Sequence, residues 1–208
     1  MAILDTIASQ LRGSTLTQMS QQLGADEATT AKAVSVALPL LLGGLTRNAA
    51  TPQGAASLDA ALTRDHDGSI LDAPQRAFGD PSALNAGGIL GHIFGQRQAP
   101  VEQGVAKATG LDTQRTAKLL MMLAPLVMAA LARARANQAG AGASAGPVLE
   151  REQSNMERQV PGIGGLASIL DRDGDGQIAD DIANLAAGRL GGAGGLGSIL
   201  GGLLDDRR

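Results

Sequence analysis

The residues whose types and spacing could do chemistry stand near the C-terminus, in Asp171-Arg172-Asp173-Gly174-Asp175-Gly176-Gln177-Ile178-Ala179-Asp180-Asp181-Ile182. Carboxylates at alternate positions, closed by a turn glycine, are a way to gather oxygens around a hard cation. Calcium takes six to eight such oxygens. Asp171, Asp173 and Asp175 would supply side-chain ligands, and Gln177 would supply its backbone carbonyl. The residue that should close the shell with a bidentate glutamate is Ile182, so Asp180 or Asp181 would have to substitute. The same aspartates and glycines also suit a plain turn, in which carboxylates accept nearby backbone N–H groups.

The loop spelling is similar to that of an EF-hand, with apolar stretches on both sides. A shorter form of the phrase occurs earlier: Arg64-Asp65-His66-Asp67-Gly68-Ser69-Ile70-Leu71-Asp72 matches Arg172–Asp180 at six of nine positions. Thr63 stands where the later copy has Asp171, which makes the earlier copy the weaker cation site. Two cation loops, or one reusable turn leading into a helix, fit the repetition equally.

Other chemistry finds little material. His66 and His92 are the only histidines and there is no cysteine, which excludes thiol catalysis, disulfides and cysteine-ligated zinc. His92 falls on an apolar helix face beside Ile93 and Phe94, where packing is the expected role. There is no nucleophile elbow and no paired-histidine metalloprotease spelling. Gly191–Gly195 is not followed by the lysine of a phosphate loop. The expectation is a protein that is not an enzyme.

The elements that would position these loops are helices. Of 208 residues, 44% are apolar but only 1% aromatic, so the core must be built from Leu, Ile, Val, Met and Ala, which suit closely packed helices better than a sandwich. A shift of 86 residues lays Ile3–Ala50 onto Ile89–Ala136 without a gap and with 14 of 48 positions identical. Gly24/Gly110, Asp26/Asp112 and Pro39/Pro125 stay in register, as do Ile3/Ile89, Ile7/Ile93 and Arg47/Arg133. Each copy reads as a first helix, a second ended by glycine, and a long third helix opened by aspartate and carrying an internal proline. That proline either kinks the third helix or breaks it.

The expected architecture is therefore all-α and multihelical: two related helical repeats over residues 1–136, a flexible linker and charged stretch over 137–160, and a C-terminal segment over 161–208. The last holds the EF-hand-like loop and a glycine-rich amphipathic helix, with Leu196, Ile199, Leu200, Leu203 and Leu204 on one stripe. Glycine dilutes that helix too far for it to stand alone, so it needs a surface, and a protein surface is favoured over anionic lipid.

A net charge of −3 argues against a nucleic-acid partner. The apolar runs Ala33–Leu45 and Leu119–Leu131 fall short of the roughly 20 residues of a bilayer span, and no secretory signal is spelled at the N-terminus. A cytoplasmic location and no transmembrane span are the expectation.

The repeated block, the proline inside its helix and the phrase Asp65–Asp72 together resemble the bacterial YidB-like family, catalogued as a domain of unknown function, over roughly residues 1–136. The resemblance implies a multihelical fold of two related halves and a bacterial source, and it implies no catalytic residue. Function reads as a structural or interaction protein that self-associates as a homo-oligomer; the alternative is a calcium-responsive module using Asp171–Asp181.

Overall fold

Two aspartates set the frame. Asp26 Oδ1 accepts the Thr29 N–H at 2.8 Å and Asp112 Oδ1 accepts the Arg115 N–H at 2.8 Å, each satisfying a backbone donor that an opening helix leaves without a partner. The helices they open, α3 (Glu27–Ala49) and α8 (Thr113–Ala139), are the two longest and begin 86 residues apart. Glycines in left-handed backbone, Gly24 at φ 63° and Gly110 at φ 84°, end the helices before them.

The computed structural model describes residues 3–65, 68–139 and 144–159, and among these every regular element is a helix. α1 (Ile3–Gln10) and α2 (Ser14–Leu23) precede α3, and α4 (Pro52–Asp65) follows it. A 3-10 turn (Ser69–Asp72), the short α5 (Gln75–Gly79) and a second 3-10 turn (Pro81–Leu84) lead to α6 (Ala86–Phe94). A third 3-10 turn (Gly95–Arg97) and α7 (Gln98–Thr109) lead to α8, and α9 (Gly146–Gln159) comes last. The fold is all-α.

Pro39 and Pro125 lie inside continuous helices, so the proline bends neither third helix into two. Both are held by burial. α3 buries Ala33, Val34, Ala37, Leu38 and an unbroken run from Leu40 to Leu45; α8 is buried from Leu119 to Ala132 except Met121. Residues apolar on all sides make a central helix rather than a surface one. α3 and α8 pack on each other, α1 packs on α8, and α6 packs on both. The first helix of each three-helix series thus lies against the long helix of the other series. At the crossing of α3 and α6 the chain needs Gly44, since a Cβ there would run into the Ile93 side chain.

Two features add to the sequence expectation and have physical causes. In the stretch 137–160, read as a flexible linker followed by a charged stretch that is helical or disordered, the described residues hold the end of α8 and all of α9. α9 packs on α3 and α8 and buries Val148, Leu149, Glu152 and Met156. Its charged residues hide a stripe at helical spacing, because a few well-placed apolar groups outweigh many solvated ones. The helices that hold the two apolar runs extend beyond them at both ends. Residues Glu27–Ala49 and Thr113–Asn137 are long and apolar enough to cross a bilayer by length and composition, and within this fold those windows are 61% and 72% buried.

Candidate functional site

The ends of α3 and α8 carry the polar groups, and they are arranged differently. At the α8 end, the Arg133 guanidinium donates to the Gly68 carbonyl at 3.1 Å and to both Asp72 carboxylate oxygens at 2.9 and 3.0 Å. All three acceptors gather on one guanidinium nitrogen, Nη2, whose two hydrogens they share in charge-assisted bonds. Gly68 reaches this position with φ 85°, a left-handed backbone that glycine tolerates. A Cβ on it would lie 3.5 Å from the Arg133 Cβ, so the turn rests directly on α8. Leu71 beneath is fully buried and Ile70 packs against the core.

Two residues further, Arg135 is buried at 8% exposure and donates to the Asp59 carbonyl and to Thr63 Oγ1, at 3.3 and 3.0 Å. Its guanidinium lies 3.7 Å from Asp59 Oδ1. The Asp59 carboxylate in turn accepts the Ala145 N–H at 2.8 Å and the Ser144 hydroxyl at 2.9 Å, at the opening of α9. A negative charge is favoured there by the helix dipole. Buried Glu152 of α9 accepts the Leu4 N–H at 3.0 Å, at the opening of α1. α4, α8, α9 and α1 are therefore tied by carboxylates that meet backbone N–H groups or guanidinia. A cavity of about 600 Å³ remains between α1, α8 and α9, with Arg133, Arg151, Glu152 and Asn155 in its wall.

The α3 end is open. Arg47, Asn48 and Thr51 face the end of α6 and the turn after it across a groove of about 380 Å³, whose far wall holds His92, Gly95, Gln96 and Arg97. Asn48 Nδ2 donates to the His92 carbonyl at 2.6 Å and closes the base of the groove. Arg47 and His92 are exposed, Arg97 is half-buried, and no carboxylate lines the groove. The guanidinia of Arg47 and Arg97 engage no acidic group among the described residues. Such a surface carries a positive potential, which raises the local concentration of anions.

Asp26 is the one described group whose carboxyl is held clearly below the ordinary carboxylate range, because the Thr29 N–H and hydroxyl donate to its charged form.

Asp171, Asp173, Asp175, Gln177, Asp180 and Asp181 lie outside the described residues, as does the stripe from Leu196 to Leu204. Of the earlier phrase, Asp72 is described, and its carboxylate serves Arg133. Among the described residues no three His, Asp or Glu side chains come together as metal ligands. His92 presents its ring outward at the groove rather than into the core. The residues that sequence reading did not single out are Asp59, Arg97, Arg135 and Glu152. Arg47 and Arg133 carried a signal in their shared register, but nothing in the sequence says which of the two is paired.

No curated protein and no solved structure matches this chain. One family model does match: it covers residues 5–134, from α1 nearly to the end of α8, and the YidB-like resemblance fits it. The chain belongs to the family described as bacterial protein of unknown function (DUF937).

Proposed function

We propose that the chain is a non-enzymatic structural or interaction protein, built from two related helical repeats and self-associating through its C-terminal segment. The observation that carries this reading is how its described ionisable groups are used. Asp26, Asp59, Asp72, Asp112 and Glu152 hold helix ends and guanidinia in place, while the basic groove at Arg47, His92 and Arg97 faces outward. The first set builds a scaffold, and the groove offers a surface for an acidic segment. The 86-residue register, the aspartate caps and the crossed packing of α1 on α8 and α6 on α3 support the kinship of the repeats.

A cytoplasmic location and the lack of a membrane span belong to the same proposal. The two span-length helices pack on each other and on the surrounding helices, as core helices do. The apolar stripe from Leu196 to Leu204 is the surface proposed to meet a second copy. Light scattering on the full chain and on a chain ending near Pro161 tests this. The expected result is a larger assembly for the full chain with an unchanged helical spectrum; identical monomer masses overturn it.

The spelling of Asp171–Asp181 supports a second reading, a calcium-responsive module. Calorimetry decides it: calcium binding removed by Asp173→Asn supports that reading, and no heat at millimolar calcium removes it.

A further inference from the structure

We infer that the acidic phrase Arg172–Asp180 docks, within the same chain, in the basic groove at the end of α3, with the Asp180 carboxylate on Arg47 and the Gly176 carbonyl beside it. The inference rests on the repeat reading given above and extends it to a part of the chain that the repeats do not include.

The earlier copy of the phrase supplies the pattern. In it, the residue matching Asp180 is Asp72 and the residue matching Gly176 is Gly68, and both hold Arg133. Arg133 is the register partner of Arg47. Each arginine ends a long helix against the first helix of the other series. Arg133, Ala134 and Asn137 share a cavity wall with Thr6, Ser9 and Gln10 of α1; Arg47, Asn48 and Thr51 share a groove with His92, Gly95 and Gln96 at the end of α6. These residues correspond one by one at the same shift of 86. One arginine has its loop; the other faces an open groove.

The elements leading into the two phrases also correspond. α4 and α9 are each 14 residues long, and both pack on α3 and α8. α4 buries Leu58 and Leu62, its seventh and eleventh residues, and α9 buries Glu152 and Met156 at the same places. Asp72 follows the end of α4 by 7 residues, and Asp180 follows the end of α9 by 21. A connection of that length spans up to about 70 Å extended, more than the width of a domain of this size. Tethering at this length gives a local concentration of the order of millimolar, which favours the groove of the same chain over that of a neighbour.

Charge agrees. Asp171, Asp173, Asp175, Asp180 and Asp181 stand against one arginine in the segment, while the groove holds Arg47, Arg97 and His92 without a carboxylate. The seat is expected to be the lighter of the two, because Ala179 replaces the fully buried Leu71.

Amide hydrogen exchange over residues 172–182 of the full chain, with EDTA present to exclude cations, tests this. Protection about tenfold above the unstructured rate is expected, equivalent to about 1.4 kcal/mol. It should fall to the unstructured rate in Arg47→Ala and in Asp180→Asn, persist in Arg133→Ala, and return when Arg47→Asp is combined with Asp180→Arg. Arg47 is exposed and forms no side-chain bond among the described residues, so its loss should leave the helical spectrum intact. Exchange at the unstructured rate in the unaltered protein, or protection indifferent to both single changes, overturns the docking. Protection that rises with protein concentration overturns the same-chain seat in favour of a second copy. Self-association is read separately by light scattering: a monomer with a protected 172–182 segment refutes self-association and leaves the docking standing.

Discussion

Arg133 and Arg47 end the two central helices in the same register and in opposite circumstances. Arg133 is held by three hydrogen bonds from a turn that rests on α8, while Arg47 faces an open groove walled by His92 and Arg97. The helices beneath the two arginines are alike; the segments that arrive over them differ. The α8 end receives a loop from α4 seven residues after that helix ends. α3 also packs on α9, whose continuation carries the matching phrase 21 residues after that helix ends. The contrast separates two roles that one helix can perform, a packed core along its length and a receiving surface at its end. The first is set by apolar contact. The second is set by what the chain brings to it.

The largest effects should fall on the shared core. Leu40 and Leu126 occupy the same register and are 2% and 1% exposed. Leu40→Ala and Leu126→Ala should each lower stability by about 2–5 kcal/mol, and by similar amounts, in chemical denaturation. A cost below about 0.5 kcal/mol for either one would break the equivalence of the two long helices.

A smaller effect marks where the helices differ. Gly44 faces Ile93 closely, whereas its register partner is Ala130, buried at 3% exposure. Gly44→Ala should destabilise by about 1–3 kcal/mol through overpacking, despite the better helix propensity of alanine. A gain in melting temperature would show that α6 can retreat from α3.

The arginines come next. Arg133 and Asp72 are partly exposed, with side-chain exposures of 38% and 69%, so solvent screening limits the worth of their pair. Arg133→Ala should cost about 0.5–1 kcal/mol and loosen the exchange of Ser69–Asp72. In a chain ending at residue 159, Arg47→Ala should change stability by less than about 0.5 kcal/mol. Equal costs in that shorter chain would remove the contrast.

The smallest effect is a pH dependence at the opening of α3. The folded carboxyl of Asp26 titrates below its ordinary value of 3.8, so its contribution is fully present above that value and is lost as pH falls through the lower folded one. Asp26→Ala should be less stable than the unaltered protein at neutral pH, and the gap should narrow as pH drops below 3.8. A gap that stays constant into strong acid would mean that the charge at the cap is irrelevant.

Much of this was legible in the residues. Asp26, Asp112, Gly24 and Gly110 announced their helix boundaries because caps and left-handed stops need particular side chains locally. Val34, Leu38, Leu41 and Leu45 announced a buried face through their spacing. A helix was one reading of the charged stretch 149–160, but the packing face of α9 was not legible, because Val148, Leu149 and Met156 are sparse among charged neighbours and only the hydrophobic surface of α3 and α8 gives them somewhere to go. The links Arg135–Asp59 and Glu152–Leu4 were invisible for a related reason. A long-range pair depends on where two distant helices meet, and no local pattern encodes that meeting. The phrase Asp65–Asp72 was visible as spelling, but its partner came from α8, sixty residues away.

The central claim is that the two arginines occupy equivalent seats for one repeated phrase. Nitrogen-15 NMR of their guanidinium groups in the full chain tests it most directly, by following exchange with water. Both groups should exchange slowly, Asp180→Asn should release Arg47 alone, and Asp72→Asn should release Arg133 alone. An Arg47 guanidinium that exchanges freely in the unaltered protein, or that ignores Asp180→Asn, would contradict the account.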